Sequence, residues 1–160
     1  MHFLTSSLAV DEMIVMIQKE VAERINAEPG TKAYGSLTIA VQYYMETEIS
    51  FIVPKTVFVP QPNVDSAILN LKRREQAKVQ LINEKAFFKL TKAAFALRRK
   101  TLWNNLQHTY GKEPETKAWL QECLEKAAIE PSRRGETLSL EEFARLSNTM
   151  EENKEKHELS

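Results

Sequence analysis

The sequence predicts an α/β portion followed by an all-helical portion, divided near residues 74–84. Three observations predict it. Up to about residue 74, short β-branched or apolar runs alternate with stretches of helical spacing. Beyond residue 84 the apolar residues recur only at helical spacing. The charge pattern also changes there: residues 85–112 hold seven basic residues and no acidic one. We therefore expect an α/β portion over residues 1–74 (three strands and two helices), a linker over 75–84, a helical domain over 85–150 and a frayed polar tail over 151–160.

In the first portion, Met13-Ile-Val-Met-Ile17 is short and uniformly apolar, which predicts a buried strand. Gln18 to Ile25 has helical spacing, and Glu28-Pro29-Gly30 stops it. Gly35-Ser36 opens a second helix, with Ser36 as N-cap, running to about Met45. Glu48 to Val53 is rich in β-branched residues and reads as a strand ended by Pro54. Val64 to Leu71 is a third strand; both of its faces begin apolar, which puts it inside a sheet.

In the second portion, an amphipathic segment covers about Lys85 to His108. On a helical wheel Lys85, Lys89, Lys92, Arg99 and Lys100 share one arc, with Phe87, Leu90, Ala94, Phe95 and Leu102 opposite. Arg98 falls among the apolar positions, so either it is paired in the interior or the helix breaks there and restarts. Glu115 to Ala128 is the next helix, stopped by Pro131. Ser139-Leu-Glu-Glu142 fits a capping box that opens a last helix to about Met150.

The composition, 42% hydrophobic and 28% charged residues over 160 positions, is that of an ordinary globular chain. No apolar run reaches the ~20 residues of a transmembrane helix. One cysteine, Cys123, excludes an internal disulfide and a thiolate zinc cluster, and points to packing in a reducing, cytoplasmic setting. His2, His108 and His157 have no ligand spacing, so no metal site is expected. Four glycines leave no Gly-x-Gly-x-x-Gly or phosphate loop, and no nucleophile triad can be assembled.

Two features carry functional content. The basic block suits a polyanion, although a solvated helix face beside an acidic neighbour gives the same pattern. The other is Val57-Phe58-Val59-Pro60-Gln61-Pro62-Asn63-Val64-Asp65-Ser66. Two prolines fix their own φ and push Val59 and Gln61 toward extended backbone. The result is a stiff connection headed by Phe58: either a rigid loop tucked into the core, or a platform presenting an aromatic face to a flat ligand.

In order along the chain, Gln18-Lys-Glu-Val-Ala-Glu-Arg-Ile25, Tyr34-Gly-Ser-Leu-Thr38, Phe58-Val-Pro-Gln-Pro-Asn-Val-Asp-Ser66, Phe95-Ala-Leu-Arg-Arg-Lys-Thr-Leu102, Asn104-Asn-Leu106 and Pro131-Ser-Arg-Arg-Gly-Glu-Thr-Leu-Ser-Leu-Glu-Glu-Phe143 resemble the bacterial small-subunit rRNA adenine dimethyltransferases, the kasugamycin-resistance methyltransferases. The resemblance runs from residue 1 to about 150. Its most specific motif is the Phe-x-Pro-x-Pro segment. Ala128-Ile129 departs from the family's usual Gly-Ile and should alter only how the second helix of the helical domain ends.

The resemblance implies the C-terminal portion of a class I (Rossmann-like) methyltransferase sheet followed by a small helical domain. In such a sheet the last strand lies between the two before it. The glycine-rich S-adenosylmethionine loop, the ribose-binding acid and the Asn-Leu-Pro-Tyr loop of the family precede the segment matching Met1, whose Met1-His-Phe-Leu4 matches a helix interior. The chain is thus expected to be a C-terminal fragment without a cofactor site and inactive alone. The intact enzyme would dimethylate N6 of adjacent adenines in 16S rRNA on the small ribosomal subunit.

By the same resemblance, Phe58, Pro60 and Pro62 form the wall against the target adenine. Lys85, Lys89, Lys92, Arg98, Arg99, Lys100, Arg133 and Arg134 are candidates for RNA phosphate contacts. For Arg133 and Arg134, a structural pair fixing the turn before Ser139 stands beside that reading. Asn104 and Asn105 either cap or touch RNA sugars, and Trp103 and Trp119 read as packing. The alternatives are a non-catalytic RNA-binding or ribosome-assembly module, and a structural domain whose basic face pairs with its acidic tail. The free edge of Met13–Ile17 is expected to drive self-association.

Overall fold

The structure, a computed structural model, describes residues 11–154. The readings of His2, His157 and Met1-His-Phe-Leu4 lie outside the described residues, as does the tail from 155 onward. The described chain forms two compact units: residues 11–28 with 37–78, and residues 29–36 with 79–154.

The first unit is a three-stranded sheet with two helices. Strand β1 (Glu12–Gln18) runs without a loop into helix α1 (Lys19–Ile25), so Gln18 ends a strand rather than opening a helix. Helix α2 (Ser36–Tyr44) passes directly into β2 (Met45–Val53), and β3 (Ser66–Arg73) closes the unit. The sheet order is β1-β3-β2, with β3 antiparallel to both neighbours. The final strand is inserted between the other two, as the resemblance implies.

Alternation decides which residues are buried. Met13, Val15 and Ile17 of β1, Leu69 and Leu71 of β3 and Ile49 of β2 pack with Ile25, Val41 and Met45 into one core. The α1–α2 corner is closed by side chains on α2. Thr38 Oγ1 donates to the Arg24 carbonyl, and Gln42 Nε2 donates to the carbonyls of Ile25 (2.9 Å) and Ala27 (3.0 Å). These bonds satisfy carbonyls that the end of α1 leaves unpaired.

The reading of β1 as a buried strand needs correction. Ile14 and Met16 are 67% and 53% exposed. Both helices of this unit pack on the other face and leave this one open. Register places Met16 opposite Ile68, and Ile68 opposite Phe51, which is 58% exposed. The result is a continuous apolar row across the open face. A bulge between Ile49 and Phe51 turns Phe51 onto that row.

The second unit packs four helices: α3 (Glu84–Ala94), α4 (Leu102–Tyr110), α5 (Pro114–Lys126) and α6 (Leu140–Glu152). Phe87, Leu90, Leu102, Leu106, Leu120, Leu124, Leu138, Phe143 and Leu146 are almost fully buried. Each such side chain contributes roughly 1.5–3 kcal/mol on burial. Caps set the starts: Asn83 accepts from the Ala86 amide, and Thr101 from the Asn104 amide. Ser139 and Glu142 form the full capping box.

The amphipathic segment is broken: α3 ends at Ala94 and α4 begins at Leu102. Of the two alternatives posed by Arg98, the break is the one adopted, and Arg98 is exposed. Residues 29–36 also belong to this unit. Gly30 donates its amide to the Glu136 carbonyl (2.7 Å), and Tyr34 donates its hydroxyl to the Leu138 carbonyl (2.7 Å). The Tyr34 ring meets Phe95 edge-on at 6.0 Å, and Phe95 meets Phe143 at 5.9 Å. Gly135 sits where a Cβ would lie 2.6 Å from the Ala94 carbonyl oxygen, so only glycine permits this approach.

Candidate functional site

Two sets of residues carry the chemistry, one in each unit. In the first unit, Pro54 ends β2 and a short 3-10 turn (Lys55–Val57) leads to Phe58. Phe58 is half-buried, whereas Val57, Val59, Pro60, Gln61 and Pro62 are exposed, Val59 by 97%. The Phe58 amide donates to the Lys55 carbonyl (3.3 Å), and its backbone is extended. The Val59–Pro60 peptide is cis. An aromatic ring thus stands at the root of an exposed, proline-held loop between β2 and β3.

Asp65 closes that loop. Its carboxylate accepts the Lys55 amide (2.9 Å), and its carbonyl accepts the Lys19 amide (2.9 Å), joining both ends of the loop to the start of α1. The sequence reading gave Asp65 no role; its tendency to accept backbone amides in turns was the signal.

In the second unit, Lys85, Lys89 and Lys92 are exposed along one face of α3 and border a shallow groove with Phe88, Ala96 and Thr109. Lys89 Nζ lies 5.0 Å from the centre of the Tyr110 ring, a cation–π contact. Tyr110 meets Trp119 edge-on at 6.2 Å. Burial, with Glu151 nearby, pushes the Tyr110 hydroxyl well above its ordinary pKa. Arg98, Arg99 and Lys100 are exposed on the segment between α3 and α4, where Arg98 donates to the Lys32 carbonyl. Among the described residues, Lys85, Lys92, Arg99 and Lys100 make no ion pair with a carboxylate. Their charge faces solvent.

Arg133 and Arg134 differ from each other. Arg133 forms a bidentate pair with Glu142, Nη1 to Oε2 and Nη2 to Oε1 (3.1 Å), and also donates to Thr137 Oγ1 (3.2 Å) and the Thr137 carbonyl (2.6 Å). It fixes the turn ahead of Ser139. The hydrogen bond from Arg133, together with the Ser139 amide, draws the Glu142 carboxyl down to a pKa of about 2. Arg134 is more exposed, with its Nη1 4.0 Å from Glu136. Asn104 is exposed, whereas Asn105 is buried. Trp103 and Trp119 are half-buried. Cys123 is fully buried, and burial raises its thiol to a pKa of about 11, which suits packing and not nucleophilic chemistry. The described residues hold no cluster of metal-ligating side chains and no helix long and apolar enough to cross a membrane.

A sheet whose antiparallel last strand lies between its two predecessors, followed by a helical bundle, has solved counterparts. A dimethyladenosine transferase from Plasmodium falciparum superposes with a TM-score of 0.73 at 25% identity, over 96% of this chain and 60% of that one. The 23S rRNA methyltransferase ErmE superposes with a TM-score of 0.63 at 20% identity, over 92% of this chain and 57% of that one. The fold is therefore that of the C-terminal portion of a class I methyltransferase with an appended helical domain.

The sequence model of the ribosomal RNA adenine dimethylase family matches residues 1–146, and the chain belongs to that family. Among its relatives, ribosomal RNA small subunit methyltransferase A of Enterococcus faecalis is 73% identical over 96% of this chain, and that of Streptococcus thermophilus 59% over 95%. The chain spans 52% of the length of each. Family membership does not favour a non-catalytic assembly module.

Proposed function

We propose that this chain is the target-recognition part of an S-adenosylmethionine-dependent enzyme that dimethylates adenine N6 in the RNA of the small ribosomal subunit, acting in the cytoplasm. The observation that carries the proposal is the family match over residues 1–146. Methyltransferases of this kind use S-adenosylmethionine as methyl donor. The described residues do not fit that cofactor. Its usual cradle is a glycine-rich turn between a strand and a helix, whereas β1 here passes into α1 at Gln18–Lys19 with no turn at all. We assign the cofactor to the half of the relatives that this chain does not match.

What these residues contribute follows from the acceptor. The N6 lone pair is delocalised into the purine ring, so the reaction depends on orientation more than on a strong base. The adenine must also leave its stack to be reached. Phe58 offers a face against which a flipped base rests, and Pro60 and Pro62 hold the loop that carries it. Lys85, Lys89, Lys92, Arg98, Arg99, Lys100 and Arg134 supply phosphate contacts that give affinity without reading sequence. Arg133 supports that surface through the turn it fixes with Glu142.

The test is Phe58→Ala in a protein extended to the full length of the relatives. Removing a base–aromatic stack of roughly 1–3 kcal/mol should lower methylation about five- to 150-fold. Binding to small ribosomal subunits should change less than about twofold. Equal losses in the two would overturn the assignment.

A further inference from the structure

The basic segment between α3 and α4 is held by one buried side chain. Asn105 lies on the first turns of α4 and is 1% exposed. Its Oδ1 accepts the Leu97 amide at 2.7 Å. Its Nδ2 donates to the carbonyls of Ala94 (3.1 Å) and Leu97 (3.0 Å), with the Lys100 carbonyl at 3.5 Å. Ala94 is the last residue of α3, so its carbonyl has lost the helical partner that a continuous helix would supply. Asn105 therefore takes over backbone groups orphaned by the break and ties residues 94, 97 and 100 to one point.

That tie bears on charge. Were α3 continued through residue 100, Arg98 would fall on the apolar face of the helix, among Phe87, Leu90 and Leu102. A buried unpaired guanidinium is strongly unfavourable. In the broken form Arg98, Arg99 and Lys100 are consecutive, and all three are exposed. The segment has other anchors, including Arg98 itself on the Lys32 carbonyl, the Lys100 amide on the Leu97 carbonyl (3.0 Å), Thr101 as N-cap of α4, and Phe95 between Tyr34 and Phe143. Among the described residues, Asn105 is the side chain that reaches the middle of the segment from a neighbouring helix by both donating and accepting. An amide is the side-chain group suited to do both at once.

We infer that Asn105 is a positioning residue for RNA docking: it touches no RNA and holds the Arg98-Arg99-Lys100 segment in the shape that presents three cations to phosphates. This rests on the docking role proposed above. A segment released from Asn105 keeps its charge but no longer holds all three cations at phosphate positions together, so the complex neutralises fewer phosphates and binds more weakly.

The experiment measures the affinity of the 160-residue chain for purified small ribosomal subunits across a salt series. Four proteins are compared: wild type, Asn105→Ala, the triple variant R98A/R99A/K100A, and the combination of all four changes. Every phosphate that is no longer neutralised lowers the slope of log affinity against log salt by about 0.7–0.9. Asn105→Ala should weaken binding at least about fivefold, flatten the slope by the equivalent of one phosphate or more, and add nothing in the triple background. Gln42→Ala, which removes side-chain bonds within the sheet unit, serves as a stability control and should keep the wild-type slope. An unchanged slope for Asn105→Ala, or an equal loss in both backgrounds, would overturn the inference while leaving docking intact. A triple variant that binds like wild type would instead overturn the docking role and the inference with it. Should Asn105→Ala fail to fold, amide exchange on wild type decides: the Leu97 and Lys100 amides should exchange at least about a hundredfold slower than unstructured amides. Unprotected amides there would refute the clamp.

Discussion

Replacing Ala128 by glycine should stabilise the protein, although it does no more than remove an exposed methyl group. Helix α5 ends in a Schellman motif. The Ile129 amide bonds back to the Leu124 carbonyl (3.0 Å) and the Ala128 amide to the Glu125 carbonyl (3.1 Å). The motif requires a left-handed residue after the cap, and Ala128 supplies it with φ 57°. An L-residue other than glycine adopts that conformation at a cost of roughly 1–2 kcal/mol. Glycine removes this strain but adds about 0.4–1 kcal/mol of unfolded-chain entropy. The net gain is roughly 0.5–1 kcal/mol, or about 2 °C in Tm. Ala127 is the matched control: it is fully buried and right-handed, with φ −82°. Glycine there should cost about 1 kcal/mol or more. Urea titration of both variants against wild type tests the pair. Equal destabilisation at the two positions would refute the reasoning.

Other consequences follow from single contacts. Because the Glu142 carboxyl is held at a pKa of about 2, below its unfolded value, its contribution is present at neutral pH and lost as pH falls from about 4.5 toward 2. Glu142→Gln should lower neutral-pH stability by about 1–2 kcal/mol and flatten the acid limb of stability against pH, read by urea midpoints. Gly135→Ala drives a Cβ onto the Ala94 carbonyl at 2.6 Å, and the overpacking should cost about 1–3 kcal/mol in a denaturant titration. On the open sheet face, Met16→Lys should reduce self-association of the isolated chain, observed as a fall in mean mass by sedimentation. A chain monomeric before the substitution would exclude that surface as the cause.

Most of the architecture was legible because it rests on local rules. Short apolar or β-branched runs gave the strands, the wheel gave the buried side of α3, and Ser139–Glu142 gave a cap that forms as written. The strand order came from resemblance, since composition does not order three short strands. What stayed illegible depends on distant partners. Asn105 reads as a cap or a contact until the carbonyls it meets, on Ala94, Leu97 and Lys100, are in place. The open face of β1 could not be told from a covered one, because an all-apolar run is silent about which side has a neighbour. In the loop carrying Phe58, prolines announced stiffness, but closure by Asp65 needed both ends of the loop in space.

The eight residues 29–36 make the helical unit discontinuous in sequence. The chain enters that unit, leaves it, completes the sheet and returns. A clone beginning at residue 79 would therefore lack the Tyr34 and Gly30 bonds to the turn before α6, and Phe95 would lose its ring contact with Tyr34. During synthesis the short insert emerges first and waits for its partners, more than a hundred residues on in the case of Leu138, until they leave the ribosome. Grafting this bundle onto another scaffold would need the octapeptide supplied as well, either by circular permutation or as an added peptide that restores the fold in trans.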